Sequence, residues 1–147
     1  MDPLEHPRTD EDVIFIAALS VSTLLLFRVQ RFRGYCILTF DAWDAISLDS
    51  LSDDEYSSFF SDLRTATKAI RQALKPDHMN VELLGNTNPH LHWHIIPRFH
   101  SDPRWGRPIW EEYPSNEFKI NRYQLSDAEY REMIGKIQSC LPNYRSN

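Results

Sequence analysis

Three of the six histidines of this chain, His90, His92 and His94, alternate with apolar residues in the stretch NPHLHWHIIPRF, which spans residues 88–99. A β-strand turns successive side chains to opposite faces, so this spacing predicts that the three imidazole rings share one face of a strand. The intervening leucine, tryptophan and isoleucine then share the other face. We expect the histidine face to do chemistry and the apolar face to pack in the core.

Metal binding is the first chemistry that such a row suggests, because zinc favours nitrogen ligands in a tetrahedral arrangement. The spacing argues against a site built from all three rings, since His90 and His94 would lie roughly 13 Å apart along a strand that rises about 3.3 Å per residue. A site of two histidines needs further ligands, and no acidic or cysteine cluster accompanies the histidines in the sequence. We predict no metal site.

Nucleophilic catalysis at phosphorus is the second possibility, since a neutral imidazole can attack a phosphate and form a covalent phosphoramidate that water later cleaves. The middle residue, His92, is the natural nucleophile, and imidazoles about 6.6 Å away on either side could reach the phosphate oxygens. The preceding turn, GNTNP, adds backbone N–H and amide donors that suit a phosphate. The simpler alternative is a row of surface histidines on a half-exposed strand.

Composition and charge limit the class of protein. With 147 residues, 41% hydrophobic and 25% charged, the chain fits one globular domain, and its formal net charge of -5 argues against a general nucleic-acid binder. The apolar run of residues 13–27 is shorter than the about 20 residues of a membrane-spanning helix, and it follows an acidic stretch rather than a basic signal. We predict a cytoplasmic protein without membrane contact, whose cysteines, Cys36 and Cys140, are buried and reduced.

Periodicity and turn residues predict an α+β domain with a mainly antiparallel sheet of five to six strands, one long helix and a C-terminal helix. The predicted strands are Val13–Leu19, Thr23–Val29, Tyr35–Phe40, Val81–Leu84 and Leu91–Pro97. Ser-x-x-Glu capping boxes begin the two helices at Ser52 and Ser126, and Pro76 ends the first helix. The segment Ser101–Pro114 fits neither periodicity and is predicted to be an extended loop.

The stretch HLHWHII matches the His-φ-His-φ-His-φ-φ signature, in which φ is apolar, and resembles the histidine triad (HIT) superfamily of nucleotide hydrolases and transferases. RGYCILTF resembles the family's strand before the long helix, and NVELLGNTNPH resembles the strand and turn that lead into the triad. IIPRF followed by DPRWGRPIW is similar to the tail of bacterial members described as diadenosine tetraphosphate hydrolases. The resemblance implies a HIT-like fold, with a single HIT domain over residues 1–147, a core of about 13–110, and a C-terminal loop and helix over 111–147.

The resemblance implies roles for individual residues. His92 would attack the α-phosphorus and become a nucleotidyl-histidine, His90 would orient its ring through the backbone carbonyl, and His94 would contact the phosphate. Asn86 resembles the polar residue that holds a non-bridging oxygen, with a purely structural role in the turn as the alternative. For Asn88, in NPH, bracing of the turn and phosphate binding are both open.

The chain also departs from the family pattern. Tyr35 stands where many members carry a fourth histidine, and a tyrosine can donate a hydrogen bond to phosphate but stays neutral. Members place an acidic or amide residue on the ribose hydroxyls, from the strand before the glycine that precedes this position, where this chain offers only Arg28, Val29 and Gln30. Arg98 would either steady the polyphosphate or cap the strand. Trp105 and Trp110 would either stack on a base or pack across a dimer.

The resemblance implies an enzyme that cleaves dinucleoside polyphosphates or related nucleotide conjugates at the α-phosphate. The alternatives are a nucleoside phosphoramidate hydrolase, a nucleotidyltransferase, and a nucleotide-binding sensor with little turnover. We expect no required cofactor, with Mg²⁺ entering on a polyphosphate substrate. The expected partners are the nucleotide substrate and a second copy of the chain in a homodimer, with no nucleic acid.

Overall fold

The sheet and helices of this protein are seen in a computed structural model that describes residues 1–112 and 123–144. Five antiparallel strands lie in the order β1-β2-β3-β5-β4. The strands are β1 (Val13–Ala18), β2 (Ser22–Phe27), β3 (Cys36–Phe40), β4 (His78–Glu82) and β5 (His92–Arg98), and the helices are α1 (Asp53–Leu74) and α2 (Asp127–Ser139). The α+β fold expected from the sequence, an antiparallel sheet with one long helix and a C-terminal helix, is confirmed.

Both helices begin where their capping boxes predicted. The Ser52 hydroxyl accepts the Glu55 N–H at 3.2 Å while the Glu55 carboxylate accepts the Ser52 N–H at 3.0 Å, and Ser126 and Glu129 repeat this arrangement. α1 ends with Lys75 in the left-handed conformation, directly before Pro76. The predicted helix start signals were therefore correct at both positions.

The bounds of β4 differ most from the prediction, whereas those of the other four strands differ by at most two residues. β4 was expected at Val81–Leu84, from the apolar run, and instead begins at His78. Its position follows from pairing with β5, which joins His78 to Arg98 and Val81 to Ile95. The apolar run Val81–Leu84 indicated the wrong segment. β4 is an edge strand, and its pairing with β5, rather than its own composition, determines its length.

One face of the sheet packs against the helices and forms the main core. The buried residues of this core come from all five strands and both helices, among them Ile14, Leu24, Leu38, Phe59, Ile70, Ile95 and Ile134. Asp62 of α1 is 5% exposed and ties the β1–β2 turn to this layer. Its carboxylate accepts hydrogen bonds from the Val21 N–H at 2.9 Å and the Ser22 hydroxyl at 2.6 Å. The helices therefore cover one face and leave the other for a site.

A smaller apolar cluster on the opposite face involves the segment after β5. Ile109 is fully buried against Phe32, Tyr35 and Ile96. The expected loop of residues 101–114 forms turns and a short 3₁₀ helix at Ile109–Glu112, and its last two residues lie outside the described part of the chain. This cluster anchors the segment beside the histidines.

Two further predictions concerned the burial of the cysteines and the lack of a membrane-spanning helix. Both cysteines are free; Cys36 is buried as expected, whereas Cys140 is only half-buried at the end of α2. Burial raises the pKa of the Cys36 thiol, so it stays protonated. None of the helices in residues 1–112 and 123–144 is long and apolar enough to cross a membrane.

Candidate active site

The open face of the sheet presents His92 and His94 from β5. Antiparallel pairing places His92 opposite Thr39 of β3, and His94 opposite Ile37 of β3 and Glu82 of β4. The two imidazole rings meet edge to face, with their centroids 4.8 Å apart. The rings thus lean closer together than the 6.6 Å that separates alternate residues along a strand.

The predicted alternation between the two faces is confirmed by burial. The three apolar residues between and after the histidines, Leu91, Trp93 and Ile95, are 4%, 8% and 0% exposed and belong to the main core. The histidines on the other face are half-buried. This sorting follows directly from the period of two.

His90 departs from the prediction, because it lies before β5 rather than on it. The Leu91 carbonyl still accepts the N–H of Phe40 in β3 at 3.0 Å, but the Leu91 N–H donates to the carbonyl of Ala45 in the β3–α1 connection at 2.9 Å, so the ladder ends here. The ring of His90 is held by carbonyls of that same region: Nε2 lies 2.6 Å from the Phe40 oxygen and Nδ1 lies 3.2 Å from the Trp43 oxygen. His90 therefore joins the turn to the end of β3.

The ring of His92 is oriented by the backbone of His90. Nδ1 of His92 lies 2.5 Å from the His90 carbonyl oxygen. A carbonyl can only accept, so Nδ1 must carry the ring proton and Nε2 keeps its lone pair in the neutral ring. This is the tautomer that a nitrogen nucleophile requires.

The ring of His94 contacts a side chain instead. Its Nδ1 lies 2.5 Å from the hydroxyl oxygen of Tyr35, which is 3% exposed. Burial, and to a smaller extent the neighbouring His92, lower the pKa of His94 to about 4, so His94 is neutral at physiological pH. Burial also raises the pKa of Tyr35, with the Glu82 carboxylate adding to the effect. The structure thus directs the Tyr35 hydroxyl at His94, whereas the sequence suggested a contact with phosphate.

A groove of about 460 Å³ runs from His92 across β3 and β2 towards β1. Its floor is apolar and its far end carries two carboxylates; the lining residues are Asp10, Asp12, Val13, Leu25, Phe27, Ile37, Thr39, Asn88, His90 and His92. Sequence reasoning sought an acidic residue beside residues 28–30 and missed Asp10 and Asp12. The β1–β2 register, which pairs Val13 with Phe27, brings them to the groove. In the sequence, only the acidic run before β1 pointed to these two residues.

A second groove, of about 280 Å³, meets the first one at His90 and His92. Its other lining residues are mostly apolar: Ile46, Ser47, Leu48, Leu83, Leu84, Gly85, Pro89 and Leu91. None of these residues is basic. His92 therefore lies between an apolar groove with an acidic end and an apolar groove without charge.

The turn between β4 and β5 carries Asn86 and Asn88, both of which are exposed. The Asn88 side-chain oxygen accepts a hydrogen bond from the His90 N–H at 3.2 Å, so Asn88 braces the turn while also lining the first groove. Asn86 lies one residue after Gly85, whose φ of 98° belongs to the left-handed region that favours glycine. Asn88 thus lies at the first groove, whereas Asn86 is not among the residues that line either groove.

Arg98 lies away from the grooves, at the end of β5. It is 2% exposed, and its guanidinium donates to the Asn80 side chain at 2.9 Å and to the carbonyls of Arg104 and Arg107 at 2.9 and 2.8 Å. Its charge also lies 5.3 Å from the ring centroid of Phe32. Of the two roles considered for Arg98, this placement favours the structural one at the end of the strand, where Arg98 also holds the segment after β5.

The two tryptophans of that segment are separated by the structure. Trp110 lies beside the site, with its ring centroid 5.5 Å from that of His94 and its indole N–H donating to the Glu82 carboxylate. Trp105 instead lies 4.3 Å from the ring of His100, on the surface. Trp110 therefore borders His94 on the β4 side, opposite the first groove.

Metal ligation has no support in the described part of the chain. No group of three or more His, Cys, Asp or Glu side chains there is placed to hold a metal ion. The ring nitrogens of His90 and the Nδ1 atoms of His92 and His94 are instead engaged with protein oxygens.

Comparisons with known proteins agree with the geometry. The family model described as the HIT domain matches residues 31–101. A histidine triad protein from Bradyrhizobium japonicum is 25% identical, with a TM-score of 0.78 over 93% of this chain and 96% of that one. Among curated proteins, none matches the chain significantly.

Two further crystal structures share the fold. A histidine triad protein from Sinorhizobium meliloti is 23% identical, with a TM-score of 0.78 over 90% of this chain and 96% of that one. Another, from Marinobacter aquaeolei, is 21% identical, with a TM-score of 0.77 over 96% of this chain and 97% of that one. Residues 31–101 thus match the HIT domain, and the HIT-like fold expected from the sequence is confirmed.

Proposed function

We propose that the protein is a nucleotide hydrolase that cleaves dinucleoside polyphosphates or related nucleotide conjugates at the α-phosphate, with His92 as the nucleophile. The observation that carries this proposal is the 2.5 Å contact between His92 Nδ1 and the His90 carbonyl, which leaves Nε2 unprotonated where the two grooves meet. The HIT domain supports a reaction at a nucleotide phosphate.

The reaction has two steps. In the first, the Nε2 lone pair of His92 forms a bond to the α-phosphorus, and the bond from phosphorus to the leaving group breaks with its electron pair. In the second, water attacks the same phosphorus, the P–N bond breaks, and a nucleoside monophosphate leaves. Donors from the β4–β5 turn, including the amides of Asn86 and Asn88, stabilise the phosphoryl oxygens as negative charge develops on them.

The first groove suits the nucleoside. Leu25, Phe27 and Ile37 offer an apolar surface for a base, and Asp10 and Asp12 offer carboxylate oxygens that can accept from ribose hydroxyls. Asp10 is already engaged, since one of its oxygens accepts the N–H groups of Asp12 and Val13 at 2.8 and 2.9 Å. We propose Asp12 as the main acceptor for the ribose.

A polyphosphate leaving group carries several negative charges and therefore binds cations. We expect Mg²⁺ to enter bound to such a substrate, and no protein-bound cofactor to be required, because the chemistry at His92 needs only the imidazole and water.

A nucleoside phosphoramidate is the second candidate substrate, and the second groove favours it. This groove offers apolar side chains such as Leu84 and Ile46, and no Lys or Arg is among its lining residues. An amine leaving group with an apolar substituent matches such a surface better than a polyphosphate chain does. Glu82 lies opposite His94, and the two residues that follow it, Leu83 and Leu84, line this groove. A carboxylate therefore lies on the same side of the site as the groove.

The test uses diadenosine tetraphosphate with Mg²⁺ and, separately, an adenosine phosphoramidate with an apolar amine, each with wild type and His92→Ala. We expect AMP release with wild type, an adenylyl adduct in rapid-quench intact mass, and loss of both by at least about 10³-fold in the variant, as for other nucleophile removals. His100→Ala, which removes a largely exposed histidine outside the site, is the matched control.

The outcomes separate the alternatives. AMP release that survives in His92→Ala would overturn the assignment of the nucleophile. Tight nucleotide binding without release or adduct would indicate a sensor, whereas transfer of the adenylyl group to an added acceptor in preference to water would indicate a nucleotidyltransferase.

A further inference from the structure

We infer that Tyr35 is a positioning residue that holds His94 in the tautomer with its proton on Nε2, so that the two neighbouring imidazoles carry opposite tautomers. This inference rests on the proposed function for its catalytic consequence, although the tautomer itself is a property of the free protein. In this inference Tyr35 acts on the ring of His94 and does not contact the phosphate itself.

The contact between the two side chains permits only two proton arrangements. Either the Tyr35 hydroxyl donates to an unprotonated His94 Nδ1, or a protonated Nδ1 donates to the hydroxyl oxygen. In the second arrangement the hydroxyl proton needs another acceptor. Tyr35 is 3% exposed, and the described residues give its hydroxyl no acceptor other than His94. A buried O–H without a partner loses its hydrogen bond to water and gains none in return, so the first arrangement is favoured.

The groups around the pair favour neutral partners. Glu82 lies opposite His94 on β4, His92 lies next to it on β5, and the buried Cys36 follows Tyr35. The carboxylate raises the free energy of a phenolate, and desolvation disfavours charge on either partner. A neutral tyrosine must keep its proton, and a neutral imidazole that accepts at Nδ1 must carry its own proton at Nε2.

The tautomers of the two histidines therefore differ for a structural reason. His92 Nδ1 meets a carbonyl, which only accepts, and His94 Nδ1 meets a buried hydroxyl, which donates. His92 is left with a lone pair at Nε2, and His94 with an N–H at Nε2. The ring centroids of His92 and His94 lie 4.8 Å apart, so the nucleophilic ring has a fixed neutral donor ring beside it rather than a second ring with its lone pair at Nε2. This arrangement suits attack on a phosphoryl group whose oxygens gain charge.

The position of Tyr35 is itself fixed by its neighbours. Its ring packs at 4.9 Å from that of Phe27, and Gly34 before it has a φ of 85° and donates its N–H to the Gln30 side chain at 2.7 Å. The hydroxyl therefore has little freedom to turn to another partner.

The experiment compares wild type with Tyr35→Phe by ¹⁵N NMR of histidine-labelled protein at neutral pH, with His94 assigned from His94→Gln. In wild type we expect a protonated Nε2 on His94 and a protonated Nδ1 on His92. In Tyr35→Phe we expect His94 to become a mixture of tautomers, and kcat to fall by about 10- to 100-fold with KM changed by less than about 2-fold, since a buried acceptor loses its partner.

The control is Tyr56→Phe, which removes the same hydroxyl from an exposed tyrosine on α1. A proton on Nδ1 of His94 in wild type would overturn the inference without reference to any variant. So would a Tyr35→Phe protein with the wild-type tautomer and kcat. The NMR comparison needs no substrate, so failure of the hydrolase proposal and failure of this inference are distinguishable.

Discussion

At the scale of single residues, the chemistry of the site depends on what each imidazole contacts. His90, His92 and His94 are the same residue type at regular spacing, yet one is tied to two carbonyls, one to its neighbour's carbonyl, and one to a tyrosine. For His92 and His94, the partner determines which nitrogen carries the proton. A row of histidines thus becomes a set of unlike groups.

The protonation of His94 leads to a prediction at this scale. Burial, and then His92, lower the pKa of His94 to about 4, whereas the unfolded chain titrates near the ordinary value of 6.5. Between these pH values the unfolded state binds more protons, so the free energy of unfolding falls as the pH drops from about 6.5 towards 4 and the effect levels off below. We expect an NMR titration to show His94 still neutral at pH 5.5.

Urea unfolding at pH 7 and pH 4.5 checks the same prediction. His94→Gln should lose part of the pH dependence between these values, while His100→Ala, at an exposed position, should retain it. A midpoint for His94 near 6.5 in the folded protein would contradict the burial argument.

At the scale of elements, the turn before β3 joins the sheet to the site. Gly34 occupies a left-handed conformation with a φ of 85°, and a Cβ at this position would lie 2.2 Å from Leu74 Cδ1 and 3.0 Å from Pro97 Cγ. The turn brings the Tyr35 hydroxyl into contact with His94 only because Gly34, the residue before Tyr35, has no side chain.

Gly34→Ala should accordingly lower both stability and activity. We expect the free energy of unfolding to fall by about 1–3 kcal/mol, from backbone strain and crowding against α1, and kcat to fall as Tyr35 shifts. Urea unfolding with parallel turnover assays is the measurement. Gly106→Ala is the control, because a Cβ there meets no atom within 4 Å and its φ is not in the left-handed region. Equal effects of the two substitutions would refute the explanation.

At the scale of the whole molecule, β4 is an edge of the sheet, and a shallow surface next to it is partly apolar. The residues of this surface come from α1 and β4: Ser57, Phe60, Ser61, Leu63, Arg64, Thr67 and Val81. Val81, one residue before the end of this edge strand, is 38% exposed. We propose that a second copy of the chain pairs here about a twofold axis, since a closed symmetric contact covers an otherwise open strand edge.

Val81→Glu tests this assembly. We expect wild type to sediment as a dimer and the variant as a monomer, because the substitution places two like charges near the proposed axis. Tyr144→Glu, which adds the same charge at a 37% exposed position elsewhere, should remain dimeric. A wild-type protein that sediments as a monomer at assay concentrations would exclude the proposal.

Local patterns in the sequence determined a large part of the structure. The period of two around His92 predicted which side chains enter the core, the two capping boxes predicted where the helices begin, and the order of elements predicted an antiparallel α+β fold. These features depend on residues within a few positions of one another. The physical preferences of a strand or a helix terminus are therefore readable from the sequence.

Only the tertiary structure decided which groups meet across long separations. Tyr35 and His94 are 59 residues apart in sequence, and Asp12 reaches the groove because β1 pairs with β2. His90 leaves the strand because Leu91 finds a partner in the β3–α1 connection. Sheet register and burial select these contacts, and no local period encodes them, so the sequence by itself determined the histidine row while the folded chain decided the role of each ring.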